Sequence, residues 1–141
     1  MGAAPSGPGY VPNWGDDAAG RYEVGIDAIE PARIAALIAR RGERFLERVF
    51  TPAERLLCRE RPASLAARFA AKEAVAKALG TGIGLVSWRE IEILANELGR
   101  PVLVLHGAAA ARAAQLGLRH WSISLTHLAG IALAMVVAGQ E

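Results

Sequence analysis

The stretch SLAARFAAKEAVAKAL, residues 64–79, narrows the choice of fold more than any other part of the chain. Alanine is the strongest helix former, and no proline or glycine interrupts the run, so it reads as one helix. At about 100° per residue, Leu65, Phe69, Ala76 and Leu79 gather on one side. Ala67, Ala71, Ala74 and Ala78 make the other side. A helix with a bulky stripe and a back of methyl groups can be packed closely on both sides, so it belongs in the middle of a domain. Its charges then need partners, because an ionised group out of water requires an opposite charge, a metal or a phosphate.

Three charges sit on this helix. Lys72 falls near the middle of the bulky stripe, which suits a buried stem with its amine reaching a site. Glu73 and Lys77 are four apart on one edge, where the plainest reading is an i,i+4 pair on a wet surface. GTGIG follows directly, residues 80–84. Gly80 suits a helix C-cap, and Gly82 and Gly84 extend a loop whose backbone a ligand could approach closely. The loop is neither a Walker A motif, since no Gly-Lys-Ser/Thr follows, nor a dinucleotide fingerprint, since it trails a helix and leads into a strand. One turn after Lys77, it suits a phosphate.

Around this helix the chain alternates strand and helix signals. RYEVGIDAIE reads as a strand with Val24, Ile26 and Ala28 on one side and Gly25, Asp27 and Ile29 on the other. Pro31 opens a helix that Gly42 stops. Thr51, Pro52 and Glu54 form the start signature of another helix. Pro62 breaks the chain, and Ser64 is placed to cap the alanine helix. A hairpin follows around NELGRP, then a short helix ended by Gly117. The last hairpin alternates Trp121, Ile123 and Leu125 against Ser122, Ser124 and Thr126. Strand, helices, hairpin, helix, hairpin is an α+β order, and its helix-then-hairpin unit occurs twice. Residues 1–20, rich in Gly, Pro and Ala, read as a disordered leader, and residues 21–141 as one domain.

Composition bounds the function. Hydrophobic residues make up 52% of the chain and mean hydropathy is +0.24, high for one small domain, so apolar surface is expected to be buried between subunits. No run approaches a membrane span, and the N-terminus lacks the regions of a signal peptide, which predicts a cytoplasmic protein. The lone Cys58 reads as a structural thiol. Net charge is only +2, but Arg33, Arg40, Arg41, Arg44, Arg48, Arg55, Arg59 and Arg61 crowd together, which predicts an acidic or phosphorylated partner. Nucleic acid is disfavoured, because aromatics are 6% of the chain and none interleave with the basic run. Asp27 and Glu73 are the hard oxygen ligands that Mg²⁺ accepts alongside water and substrate phosphate. His127 lies near the tip of the last hairpin, behind Ser124 and Thr126.

The segments VGIDAIEPARI, ERFLERVFTPAE, ARFAAKEAVAKALGTGIG, WREIEIL, GRPVLVLHG and WSISLTH come in an order and spacing that resembles the bacterial holo-acyl-carrier-protein synthases, the short phosphopantetheinyl transferases. The resemblance covers about Glu23 to Val137. It implies Mg²⁺-dependent transfer of 4'-phosphopantetheine from coenzyme A to a serine of acyl carrier protein in fatty acid biosynthesis. It also implies a homotrimer with active sites between subunits. By motif match, Asp27 and Glu73 would hold Mg²⁺. Lys77, Gly80, Thr81 and Gly82 would contact coenzyme A, with Arg68 and His127 nearby. Glu73, Lys77 and His127 form the implied catalytic set, and Arg33 and Arg44 would meet the acidic carrier. Two departures stand out: Leu128 follows His127 where an acidic or polar residue is common, and Ala28 and Pro31 replace bulkier or non-proline residues. A catalytically silent trimer that only binds coenzyme A or carrier is the alternative reading, against which the intact Asp27, Glu73, Lys77 and His127 stand.

Overall fold

The computed structural model of the chain describes residues 21–140. The leader expected over residues 1–20 lies outside the described residues. The chain runs β1 (Tyr22–Ile29), α1 (Pro31–Arg41), α2 (Glu43–Val49), α3 (Pro52–Cys58), α4 (Pro62–Ala78), β2 (Ile91–Ala95), β3 (Pro101–Leu105), α5 (Gly107–Leu116), β4 (His120–Leu128) and β5 (Ile131–Gly139). A single 3-10 turn, Trp88–Glu90, leads into β2. The α+β order expected from the sequence is therefore observed, and no helix among the described residues is long and apolar enough to cross a membrane.

The strands form two sheets, a three-stranded antiparallel sheet in the order β1-β5-β4 and the separate β2-β3 hairpin. The two helix-then-hairpin units are thus not equivalent, because β1 joins only the second. Registers place Gly25 opposite Val136 and Asp27 opposite Ala134, and Ile123 and Leu125 opposite the same two β5 residues. One face of this sheet is therefore Gly25, Asp27, Ile29, Ala134, Val136, Ile123 and Leu125, and α4 lies across it.

The alanine side of α4 explains how closely it lies. A Cβ on Gly25 would stand 1.8 Å from the Ala74 carbonyl oxygen, so the strand and helix backbones touch where neither has bulk to separate them. The opposite side of α4 is closed by α1, α2, α3 and β2. Leu65, Ala67, Ala71, Lys72, Ala74, Ala76 and Ala78 are all buried, so the helix is enclosed on both sides and open along the edge that carries Glu73 and Lys77.

Local start and stop signals hold in part. Pro31 opens α1, and Gly42 ends it at a φ of +56°. At α3 the capping box is complete: Thr51 Oγ1 accepts from the Glu54 N–H, and the Glu54 carboxylate accepts from the Thr51 N–H. The start of α4 differs from expectation. Pro62 is the first helical residue and Arg61 the N-cap, so Ser64 lies inside the first turn. Proline does not break the chain here, because its missing N–H is one the helix start leaves unpaired anyway. The helix α2 carried no start signal of its own; burial of Phe45, Leu46 and Val49 holds it.

Candidate active site

Asp27 and Glu73 meet where β1 crosses α4. Asp27 points to the helix because it shares the inward parity of Gly25, and Glu73 leaves the helix one position before Ala74, the residue that touches Gly25. Burial pushes the Glu73 carboxyl above its ordinary range, and the negative charge of Asp27 adds to the rise. Lys77 and Arg33 oppose it. A carboxyl whose proton affinity is raised by burial and by a neighbouring carboxylate marks a site short of positive charge.

Lys77 supplies part of that charge. Its Nζ donates to the Ile26 carbonyl at 2.8 Å and lies 3.3 Å from Asp27 Oδ1. The i,i+4 pair with Glu73 is replaced by this cross-element contact, because β1 passes within reach of the last turn of α4. A lysine ammonium already occupies the cation position against Asp27. The pair fits Mg²⁺, which needs only one or two carboxylates and fills its other positions with water and phosphate oxygens. It does not suit a closed zinc site, since no group of three or more His, Cys, Asp or Glu stands ready for a metal among the described residues.

The glycine loop reverses the chain after α4, with φ of +73° at Gly80, +62° at Gly82 and +138° at Gly84. Its amides are largely spent on the helix end. Gly80 N–H donates to the Lys77 carbonyl, Thr81 and Gly82 N–H both donate to the Ala76 carbonyl, and Gly84 N–H to Val86. The loop is therefore a C-terminal cap before it is an anion cradle. Two observations leave room for a ligand: Cβ atoms at Gly82 and Gly84 would meet nothing within 4 Å, and Thr81 Oγ1 is buried without a partner. On the loop's other flank Arg112 of α5 donates to the Leu79 carbonyl at 3.0 Å.

The other residues singled out in the sequence are spread. Arg68 has a buried Nε without a partner, but it lies nine positions before Lys77, about 13 Å along the helix axis. His127 is exposed, opposite Ala132, which in turn faces Ile29. That places it two strands from β1, roughly 10 Å across the sheet from Ile29 at the usual strand spacing and further from Asp27. Within one chain, the site therefore assembles Asp27, Glu73 and Lys77 but not Arg68 or His127.

Lys72 corrects the sequence reading. Its amine does not reach this site but turns to the opposite side of α4, where Nζ donates to Glu54 Oε1 at 2.8 Å, the Trp88 carbonyl at 3.0 Å and the Ile91 carbonyl at 2.5 Å. Burial pushes the Lys72 amine below its ordinary range, against the charge and hydrogen bond of Glu54. Glu54 was legible only as a capping-box residue. The need of Lys72 for an anion was the signal, but nothing local named Glu54 as that anion.

The basic cluster divides by geometry. Arg55 is committed to Glu43 and Glu60, and Arg61 donates to the Cys58 carbonyl. Arg40, Arg41, Arg44 and Arg48 instead rim a groove floored by Leu37, Phe45, Val49, Phe69 and Trp88. Arg33 is exposed on the first turn of α1 and acts on Glu73 through its charge.

Comparison with known proteins supplies the rest. Residues 23–136 match the model of the 4'-phosphopantetheinyl transferase superfamily. The chain is 53% identical over 120 residues to the holo-[acyl-carrier-protein] synthase of Herpetosiphon aurantiacus, covering 80% of this chain and 94% of that one. It is 54% identical to the Dehalococcoides mccartyi strain 195 enzyme of the same name, covering 81% and 95%. Among solved structures, the Helicobacter pylori holo-[acyl-carrier-protein] synthase in complex with coenzyme A superposes with a TM-score of 0.75 at 36% identity, covering 82% of this chain and 98% of that one.

Proposed function

The chain belongs to the 4'-phosphopantetheinyl transferase superfamily, and from that premise we propose which of its residues carry the reaction. The enzyme is a holo-[acyl-carrier-protein] synthase that transfers 4'-phosphopantetheine from coenzyme A to a serine of apo acyl carrier protein. The observation that supports the assignment of roles is the convergence of Asp27, Glu73 and Lys77 at the crossing of β1 and α4.

In the transfer, the carrier's serine oxygen forms a bond to the phosphorus that bears the pantetheine arm. The bond from that phosphorus to the bridging oxygen breaks, and 3',5'-ADP leaves with the electron pair. Asp27 and Glu73 hold Mg²⁺, which when bound supplies positive charge to the pyrophosphate oxygens. Lys77 leaves Asp27 to meet a phosphate, exchanging one anionic partner for another. Thr81 Oγ1, with Gly80 and Gly82 keeping the adjacent surface free of side chains, faces the same group. The serine's proton must go to a base, and Glu73 and His127 are the two side chains of the proposed set able to take it.

Arg68 and His127 complete the site from a neighbouring subunit of a homotrimer, since one chain leaves them apart from Asp27. The trimer buries the outer face of the three-stranded sheet, where Tyr22, Val24, Ile26 and Met135 are 67%, 68%, 56% and 47% exposed in the single chain. Arg44, on the rim of the basic groove, and Arg33, between that groove and Glu73, dock the acidic carrier so that its serine reaches the site. The enzyme works in the cytoplasm, in fatty acid biosynthesis.

Mass spectrometry of apo acyl carrier protein incubated with the enzyme, coenzyme A and Mg²⁺ tests the whole reading. A mass gain of one phosphopantetheine is expected, abolished by chelation of the metal. Transfer at full rate without divalent metal would refute the roles of Asp27 and Glu73.

A further inference from the structure

We infer that the buried Lys72–Glu54 pair is a positioning element for the reaction, fixing the rotation of α4 and through it the placement of Glu73 against Asp27. The inference rests on the metal reading above. It starts from a weakness of α4. Apolar burial is non-directional, and a side built of methyl groups tolerates small rotations that a polar contact would not. Ala66, Ala67, Ala70, Ala71, Ala74 and Ala78 are all buried and share one side of the helix, while Leu65, Val75 and Leu79 are buried on the other, with Lys72 among them.

Lys72 supplies the missing direction. An ammonium has three donors, and all three are used, on Glu54 Oε1, the Trp88 carbonyl and the Ile91 carbonyl. Glu54 is held just as firmly. Its Oε1 also accepts from the Thr51 N–H at 2.9 Å, and its Oε2 from the Ile93 N–H at 2.9 Å. Both side chains are wholly buried. The pair therefore ties α4 to the N-terminus of α3, to the turn before β2 and to β2 itself. Glu73 is the next residue along, about 100° round the helix, so the direction of Lys72 sets the direction in which the Glu73 side chain leaves the backbone. The amine has no donor left for a substrate, so Lys72 acts through Glu73 and is a positioning residue.

The test uses two variants of the full chain, Lys72→Met/Glu54→Gln, which removes both buried charges while keeping most of the bulk, and Glu54→Gln alone. Mn²⁺ binding in the presence of coenzyme A is followed by electron paramagnetic resonance, alongside KM for the carrier and thermal melting. The double variant should melt cooperatively yet bind Mn²⁺ about tenfold or more weakly, the usual size of an outer-shell effect on a metal. KM for the carrier should change less than about twofold, and excess Mn²⁺ should restore much of kcat, which a general loss of structure would not allow. Wild-type Mn²⁺ affinity in a folded double variant overturns the inference. If that variant does not fold, unchanged Mn²⁺ affinity in Glu54→Gln overturns it equally. Absence of Mn²⁺ binding by the wild-type protein refutes the metal reading itself, and the positioning role with it.

Discussion

Glu73 carries opposed demands of stability and function. Its proton affinity is raised by burial first and by Asp27 second, so the folded state holds a proton more tightly than the unfolded chain does. The contribution of this carboxyl to stability is therefore fully present below its unfolded pKa, and it is lost as pH rises through the higher folded value. At neutral pH without metal, Glu73→Gln should raise Tm by on the order of a few degrees. The difference should vanish as pH falls below the ordinary glutamate range, and melting curves from about pH 4 to pH 8 check it. The same substitution should lower transfer by about 100-fold or more, because it removes one of two anionic ligands. A rate within a few-fold of wild type would take Glu73 out of the metal site. Lys77 behaves differently: Lys77→Met frees Asp27 but leaves phosphate unmatched, so KM for coenzyme A should rise about tenfold, as initial-rate kinetics would show. Cys58 meets its expected role, since it is buried and burial pushes its thiol above the ordinary range.

The elements meet at one narrow place, Gly25 against Ala74. A methyl group there cannot be absorbed by a rotamer change, since the colliding atom is backbone carbonyl oxygen. Gly25→Ala should push β1 off α4 at a cost of about 1–3 kcal/mol or more, read as a fall in Tm. It should also weaken Mg²⁺-dependent transfer, because Asp27 and Glu73 stand on the two elements being separated. A variant of wild-type stability and activity would show that the crossing is looser than it looks. Element boundaries were legible wherever the signal was local: Thr51 with Glu54, Pro31 with Gly42, and the alternation along β4. The start of α4 was misread at Ser64 because a proline can open a helix as well as end one. The short α2 escaped because it rests on tertiary burial of Phe45, Leu46 and Val49 and not on caps.

At the scale of the whole molecule, one face of the sheet is left without a partner in the single chain. Ile26 pairs with Met135, which pairs with Ser124, so the apolar half of this face runs along β1 and β5 and gives way to hydroxyls on β4. Ile26→Lys or Met135→Lys should split the proposed trimer, seen as a lower mass in sedimentation, and abolish most transfer while the monomer stays folded. Full activity in a monomeric variant would remove the neighbouring subunit from the site. His127 and Arg68 belong to this scale, because neither reaches Asp27 within one chain.

Composition and short-range pattern were enough for the α+β order, for the buried alanine helix, for placing Asp27 on the face of β1 opposite Ile26 and for the charges that needed partners. These depend on interactions within a few residues, such as helical spacing, strand alternation and capping, and a sequence displays them directly. Pairing was another matter. That Lys72 turns to Glu54 and Lys77 to Asp27, that β1 joins the second hairpin and not the first, and that the glycine loop spends its amides on α4 all follow from long-range packing. In each case a charged or polar group had several acceptable partners, and packing between distant segments selected one: β1 against α4 for Lys77, α3 and β2 against α4 for Lys72.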